Sequence, residues 1–502
     1  MVAPPISEDN NSGLGSMPRF GSGSLGVAHR LNFARTGSTI LDIADELSGI
    51  GRMRFASGDK MASMAHKALV TSVAVLLTTA AMAVSADAAV VKPNFVVILL
   101  DDVGYGDLGS YNGAIATPNI DALAAQGMRF TDFHSNGAVC TPTRAALMTG
   151  RYPQRAGLEG ALLANAPSGL KQTEITVAEV LKNVGYRSGI VGKWHLGDAP
   201  QFNPTTQGFS FFYGFLTGEI DYVNHVDTVG DVDWWKNKTL LQENEYSTTA
   251  IAREANGFIQ RNASRPFFLY VAYQTAHDPY QAPGDAPVRT PGLPKGVLEG
   301  DAAHYPQMIQ AADRGVRDIR AKLKSLGLEE KTLILVLSDN GAPELWDNLV
   351  AAPGSNGPLR GGKNNLYEGG HRVPAIAFWK GTIGTAVRAD TLATIDIFPT
   401  ILELAGVAAP AGHRIDGVSF APLLLRREPI SSRKLFWKSL NGDTAVRDAK
   451  WKLLIANNRT SLFDLSKDLG EKSNVAASHA AIVNAMKNSL QLWLADVSRK
   501  VP

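Results

Sequence analysis

Asn94-Phe95-Val96-Val97-Ile98-Leu99-Leu100-Asp101-Asp102 is the stretch on which the fold turns. From Phe95 to Leu100 it is apolar without interruption and rich in β-branched residues. A strand with one wet face would alternate, so this run predicts a strand covered on both faces. Two further runs read the same way: Thr332-Leu333-Ile334-Leu335-Val336-Leu337 and Phe267-Phe268-Leu269-Tyr270-Val271-Ala272-Tyr273. Helical periodicity lies between them over residues 119–127, 176–184, 249–259 and 307–326. Strands alternating with helices predict an α/β domain with a large, mostly parallel sheet flanked by helices. After Asp416-Gly417 the texture changes to short alternating segments at 435–440, 445–447, 451–455 and 461–465, spaced for antiparallel pairing. Ile482, Val483, Met486, Leu490, Trp493, Leu494 and Val497 then form one apolar helical stripe. A smaller C-terminal antiparallel sheet plus helix is expected, with residues 92–425 as catalytic domain and 426–502 as C-terminal subdomain.

The chain has 502 residues, room for both parts, and a formal net charge of only +2. That is not the clustered basic charge of a nucleic-acid-binding face, so no nucleic-acid partner is expected. Cys140 is the single cysteine, so no intrachain disulfide can form. Residues 1–60 hold Gly/Ser clusters without sustained periodicity. Lys67 then precedes an uncharged apolar stretch, 68–84, followed by Ala86-Asp87-Ala88. This is the layout of a secretory signal over residues 61–88; translation is expected to start at Met61 or Met64, with residues 1–60 a disordered or misassigned upstream extension. The stretch carries no stop-transfer flank, so export to the periplasm or outside the cell, without stable membrane insertion, is expected.

Carboxylates sit at two strand ends. The first strand runs into Asp101-Asp102, and the run at 332–337 into Ser338-Asp339-Asn340-Gly341. An Asp after a strand is often a turn residue or helix cap. In an open parallel sheet, however, ligands bind outside the carboxyl ends of the strands. If the two strands are parallel neighbours, three carboxylates and one amide oxygen converge, and such a group calls for a cation. Oxygen ligands select Ca²⁺, with Mg²⁺ as the alternative.

The cysteine segment runs Val139-Cys140-Thr141-Pro142-Thr143-Arg144 and on to Gly150-Arg151-Tyr152-Pro153. Pro142 suits the first turn of a helix and Gly150 the residue just past its end. Cys140 would then lie at a helix N-terminus, which favours negative charge. Arg144 lies one turn on, and together they suggest a thiol of lowered pKa beside an anion site. Lys193 and His195 share a face if locally extended. His277 follows the third apolar run, and Lys363 lies in a Gly-rich loop, 357–365.

Cys140-Thr141-Pro142-Thr143-Arg144 resembles the C-x-P-x-R signature of sulfatases, with Thr143 where Ser is more usual. The resemblance extends through Asp101 to Asp107, Thr117-Pro118-Asn119-Ile120-Asp121, Gly192-Lys193-Trp194-His195-Leu196-Gly197, Ser338-Asp339-Asn340-Gly341, Gly362-Lys363 with Glu368-Gly369-Gly370, and Leu462-Phe463-Asp464-Leu465. It implies an alkaline-phosphatase-like fold and conversion of Cys140 to formylglycine by a maturing enzyme. It also implies Asp101, Asp102, Asp339, Asn340 and the modified Cys140 as metal ligands, with a sulfated small molecule or sugar as substrate. Arg144, Lys193 and Lys363 would neutralise sulfuryl oxygens. His277 or Lys363 would protonate the leaving oxygen, and His195 would take the proton that releases sulfate. A phosphoryl or phosphonate monoester hydrolase of the same superfamily, and a non-catalytic glycan-binding homologue, are the alternatives. Specificity is expected in residues 157–169 and 214–235. The second of these carries Glu219, Asp221, His225, Trp234 and Trp235, suited equally to a sugar ring or to loop packing.

Overall fold

The strand Asn94–Leu100 is buried along its whole length, and neighbours on both sides explain its unbroken apolar character. It pairs in parallel with Phe267–Ala272 on one side and Thr332–Ser338 on the other. A computed structural model describes residues 92–499. The expected upstream extension and signal segment lie outside the described residues. Arg187–Lys193 and Phe211–Phe215 continue the parallel order beyond Phe267–Ala272. On the other side Ala375–Phe378 pairs antiparallel with Thr332–Ser338, and short strands complete a mixed ten-stranded sheet.

Helices cover both faces. Ser247–Arg261 and Tyr305–Ser325 pack on one face through Ile251, Phe258, Met308 and Ile319. Cys140–Thr149 and Ile397–Leu404 lie in the core of the other through Leu147, Met148, Phe398 and Ile401. Each fully buried Val, Leu, Ile or Phe contributes about 1.5–3 kcal/mol relative to exposure, so these two apolar layers hold the sheet together. The helix expected at 176–184 is Val177–Asn183, closed by a capping box between Thr176 and Glu179. No helix among the described residues is long and apolar enough to cross a membrane.

The C-terminal sheet pairs Lys434–Lys438, Thr444–Asp448, Trp451–Ala456 and Arg459–Asp464 antiparallel in chain order. The helix Ala480–Val497 buries Val483, Met486, Leu490, Trp493 and Val497, as its stripe predicts. This layer shares a core with Ala146, Tyr152 and Ile395 of the larger part. Trp437 Nε1 also donates to Ser135 O at 2.8 Å.

Candidate active site

Leu100 lies opposite Ser338 in the parallel register, so Asp101-Asp102 and Asp339-Asn340 leave the sheet side by side. Consecutive residues of a continuing strand would point to opposite faces. Asp102 instead takes φ 59°, a left-handed conformation that Asp tolerates, and the strand stops there. The Asp102 N–H donates to Asp339 Oδ1 at 3.2 Å, and Asn340 Nδ2 donates to Asp102 Oδ1 at 2.6 Å.

The helix Cys140–Thr149 starts after the extended residue Val139. It ends at Gly150, whose φ of 67° lets its N–H reach Ala146 O. Cys140 Sγ lies 3.5 Å from Asp101 Oδ1. One atom each of Asp101, Asp102, Asp339 and Cys140 fall within 4.8 Å of one another, all four residues buried. Here the structure corrects the sequence reading. Burial, and then the Asp101 carboxylate, push the Cys140 thiol well above its ordinary range. These two effects outweigh the helix terminus, so the unmodified thiol is not an activated nucleophile.

The basic side chains meet the carboxylates directly. Arg144 Nη2 lies 2.9 Å from Asp339 Oδ2 and 3.5 Å from Asp101 Oδ2. Its Nη1 donates to the Lys193 carbonyl and the Tyr270 hydroxyl. Lys193 Nζ donates to Asp101 Oδ2 at 2.5 Å, and Lys363 Nζ to Asp102 Oδ2 at 2.7 Å. Asp101 is held far below the usual carboxylate range, its burial overcome by Lys193 and Arg144. Asp339 is pushed up to about 7 by burial and Asp101. His277 Nε2 lies 3.0 Å from Lys363 Nζ. Burial and Lys363 oppose its protonation, yet Asp102 and Asp278 carry it up to about 9. The contact is a hydrogen bond only when one of the two gives up a proton, so His277 and Lys363 act as one proton-holding pair.

His195 departs from the expected extended pairing with Lys193, because its φ is 53°. Its ring turns to Leu162, where Nε2 meets the carbonyl at 2.9 Å. A carbonyl only accepts, so Nε2 carries the proton and Nδ1 is a bare lone pair. Nδ1 is buried and finds no partner among the described residues. Burial, then Lys193, hold the ring well below its ordinary pKa, so it is a neutral base.

Three carboxylates do not by themselves demand a metal here, since Arg144, Lys193 and Lys363 already oppose them. A different observation supports one. Asn340 Oδ1 is buried without a partner among the described residues, on a side chain whose Nδ2 reaches Asp102 Oδ1. An orphaned amide oxygen with converging carboxylates fits a hard divalent cation.

The sulfatase family profile matches residues 93–407. The chain belongs to the sulfatase family. A second profile, N-sulphoglucosamine sulphohydrolase C-terminal, matches residues 362–496. This sulfatase is 35% identical to human arylsulfatase A over 84% of its own chain and 91% of that protein. It is 37% identical to N-acetylgalactosamine-6-sulfatase of Canis lupus familiaris over 76% of its chain and 75% of that protein. Among solved structures it resembles Ps i-CgsB in complex with k-i-k-neocarrahexaose, with 30% identity and a TM-score of 0.73. That match covers 82% of this chain and 94% of the other. The sulfatase is therefore a sulfuric ester hydrolase with the alkaline-phosphatase-like architecture expected from its sequence.

Tyr270 and Asp278 at the sulfatase site were not singled out as site residues from sequence, and Glu219 was named only within the expected specificity segment 214–235. Tyr270 projects its hydroxyl onto Arg144; a Tyr inside a buried apolar strand needs such a polar partner, which is the signal it offered. Asp278 and Glu219 flank His277 Nδ1 at 3.1 and 3.6 Å. In the loop 214–235, Trp234 is fully buried and stacks on His225 with ring centroids 3.9 Å apart. Of the two uses open to that Trp–His pair, it serves loop packing.

Proposed function

We propose that this sulfatase hydrolyses sulfate monoesters of an aryl or carbohydrate alcohol, with Cys140 carried as formylglycine and a divalent cation held by Asp101, Asp102, Asp339, Asn340 and residue 140. Ca²⁺ is the preferred ion and Mg²⁺ the other hard cation these ligands suit. The observation that carries the reading is the meeting of the two strand-end acid clusters with Cys140 inside a ring of Arg144, Lys193 and Lys363.

When present, the cation supplies Lewis-acid charge and the formylglycine hydrate supplies a hydroxyl nucleophile together with a second hydroxyl. Around them the chain's own residues divide the remaining work. Arg144 is fixed by Asp339 and the Lys193 carbonyl, so its charge is preorganised for sulfuryl oxygens. Lys193 and Lys363 add positive charge where the ester's negative charge grows. The His277–Lys363 pair holds a proton beside Asp102, suited to the departing alcohol oxygen. The bare Nδ1 of His195 suits the proton that must leave the second hydroxyl for sulfate to be released.

Side-by-side kinetics on an aryl sulfate and an aryl phosphate, with mass spectrometry of the Cys140 peptide, test the proposal. The expected result is preference for the sulfate and a peptide mass of the aldehyde. Preference for the phosphate would favour the phosphomonoester alternative, and an unmodified thiol in active enzyme would remove formylglycine from the mechanism. The same proposal requires a maturing enzyme as partner and an exported, periplasmic or secreted protein. N-terminal sequencing of secreted material should begin near Ala89, and a mature protein retaining residues 1–60 would refute that part.

A further inference from the structure

The strand Phe267–Ala272 is buried at every position, and Tyr270 is the one residue in it with a polar side-chain atom. Tyr270 lies opposite Val97 and Ile190 of the neighbouring strands. It belongs to the same apolar layer as Leu147 of the nucleophile helix. Phe already stands at two positions of the strand and would pack here as well. Burying a hydroxyl costs free energy unless it is hydrogen-bonded, so the oxygen of Tyr270 calls for a use of its own. Its partner is Arg144, whose Nη1 donates to it at 3.3 Å. Burial raises the pKa of the phenol against the pull of Arg144, so the hydroxyl is a neutral acceptor that adds no charge to the site.

The five N–H groups of a guanidinium lie in one rigid plane. In Arg144 the two on Nη1 go to the Lys193 carbonyl at 3.2 Å and to Tyr270. Nη2 donates to Asp339 Oδ2 at 2.9 Å and has Asp101 Oδ2 at 3.5 Å. Nε is buried and finds no partner among the described residues. Every anchor therefore sits at the Nη end, and the Nε–H is the donor left uncommitted. The Lys193 carbonyl is backbone, and Asp339 and Asp101 carry the negative charge of the site. Tyr270 is the neutral side-chain anchor, and it comes from the middle of a sheet strand, which holds a group more sharply than a loop does. Without its hydroxyl, Nη1 would keep a single acceptor and the plane would be free to turn about that contact.

We propose that Tyr270 is a positioning residue for sulfate-ester cleavage. Its hydroxyl fixes the plane of the Arg144 guanidinium, and with it the charge and the free Nε–H that meet the sulfuryl group. The proposal rests on the role given to Arg144 above and deepens it, since Tyr270 acts through Arg144 and on no reacting atom directly.

Tyr270→Phe, Arg144→Lys and the double variant, assayed on p-nitrophenyl sulfate, test it. Mass spectrometry of the Cys140 peptide gives the formylglycine content of each, and rates are expressed per modified molecule. A displacement of about 1 Å costs about 10²-fold in a preorganised site, so Tyr270→Phe should lower kcat by about tenfold to a hundredfold. A merely structural role would lower the thermal midpoint and leave kcat per folded molecule unchanged. In the Arg144→Lys background, which lacks the bond from Nη1, Tyr270→Phe should lower kcat no further. A second loss of the same size in the double variant overturns the proposal, as does a kcat of Tyr270→Phe within about twofold of the unaltered enzyme. Undiminished turnover by Arg144→Lys would instead remove the role of Arg144 itself, and this proposal with it. Should Arg144→Lys be too slow to assay, the same cycle is read as inorganic sulfate affinity by calorimetry in the Cys140→Ala protein. There Tyr270→Phe should weaken sulfate binding only while Arg144 is present, and an equal loss in both backgrounds overturns the proposal.

Discussion

Two buried clusters of acids and histidines occupy this protein, and they have opposite characters. In the first, Asp101, Asp102, Asp339 and Cys140 converge, and Asn340 Oδ1 and His195 Nδ1 find no partner among the described residues. In the second, His134, Glu368 and His371 approach one another just as closely, yet Lys452 already fills the place of a cation. Its Nζ lies 3.1 Å from Glu368 Oε1 and 3.0 Å from Glu471 Oε1, and it donates to His371 Nε2 at 3.1 Å. His371 Nδ1 must then donate to His134 Nδ1 at 3.0 Å, and His134 Nε2 to Asp132 Oδ1 at 3.1 Å. Asp132, Glu368 and Glu471 are matched by Arg372, Arg447 and Lys452. The second cluster is charge-balanced, and its two acceptors without a hydrogen bond, Glu368 Oε1 and Glu471 Oε1, both lie in ion-pair range of Lys452 Nζ. The first is left with spare acceptors, and Lys363 beside it is 16% exposed. Residue type alone does not mark a metal site; what marks it is whether the protein's own cations exhaust the acceptors.

The closed cluster also supports the open one. Glu368–His371 forms a short helical turn, and the carbonyl of Gly370 in it accepts the N–H of Gly341 at 3.1 Å, next to Asn340. The C-terminal sheet, through Arg447 and Lys452, thereby braces the loop that carries Asp339 and Asn340.

The contrast breaks most visibly at Cys140. Cys140→Ala should lower sulfate-ester turnover by about 10⁴-fold or more while leaving the thermal unfolding midpoint near that of the unaltered enzyme. Undiminished turnover would mean that the open cluster is not built around that residue. Metal removal comes next. Dialysis against a chelator should reduce activity by about 10²-fold or more, and added Ca²⁺ should restore it; full activity after stripping would make the first cluster as self-contained as the second. Lys452→Met attacks the closed cluster and leaves Glu368 and Glu471 buried without their ammonium. It should cost about 3–5 kcal/mol in urea unfolding. No loss of stability would show that the ammonium is not what closes the cluster.

The smallest effect is a pH dependence of the closed cluster. Burial, opposed by the hydrogen bond to Asp132, holds His134 below its ordinary 6.5, and burial with Lys452 holds His371 well below it. The unfolded chain therefore takes up protons that the folded chain refuses. Their stabilisation is complete above about pH 6.5 and is lost as pH falls toward the depressed folded values. His134→Gln should flatten the slope of stability against pH in that window, and an unchanged slope would place the acid sensitivity elsewhere.

Much of this molecule is written locally. The unbroken run Phe95–Leu100, the Asp pair that ends it, and Pro142 and Gly150 bracketing the Cys140 helix are short-range features. Backbone preference and periodicity act over a few residues, so the sequence alone determined them. What it could not carry were quantities set by neighbours far away in the chain. Burial and Asp101 raised the Cys140 thiol against its helix terminus. Left-handed turns at Asp102 and His195 redirected side chains that an extended chain would have aimed elsewhere. Lys438 reached Glu159, and Lys452 reached Glu368, only because the C-terminal sheet folds back on the larger part. Solvation and Coulomb energy depend on distance in space and on excluded water, and neither is defined until the chain has closed on itself.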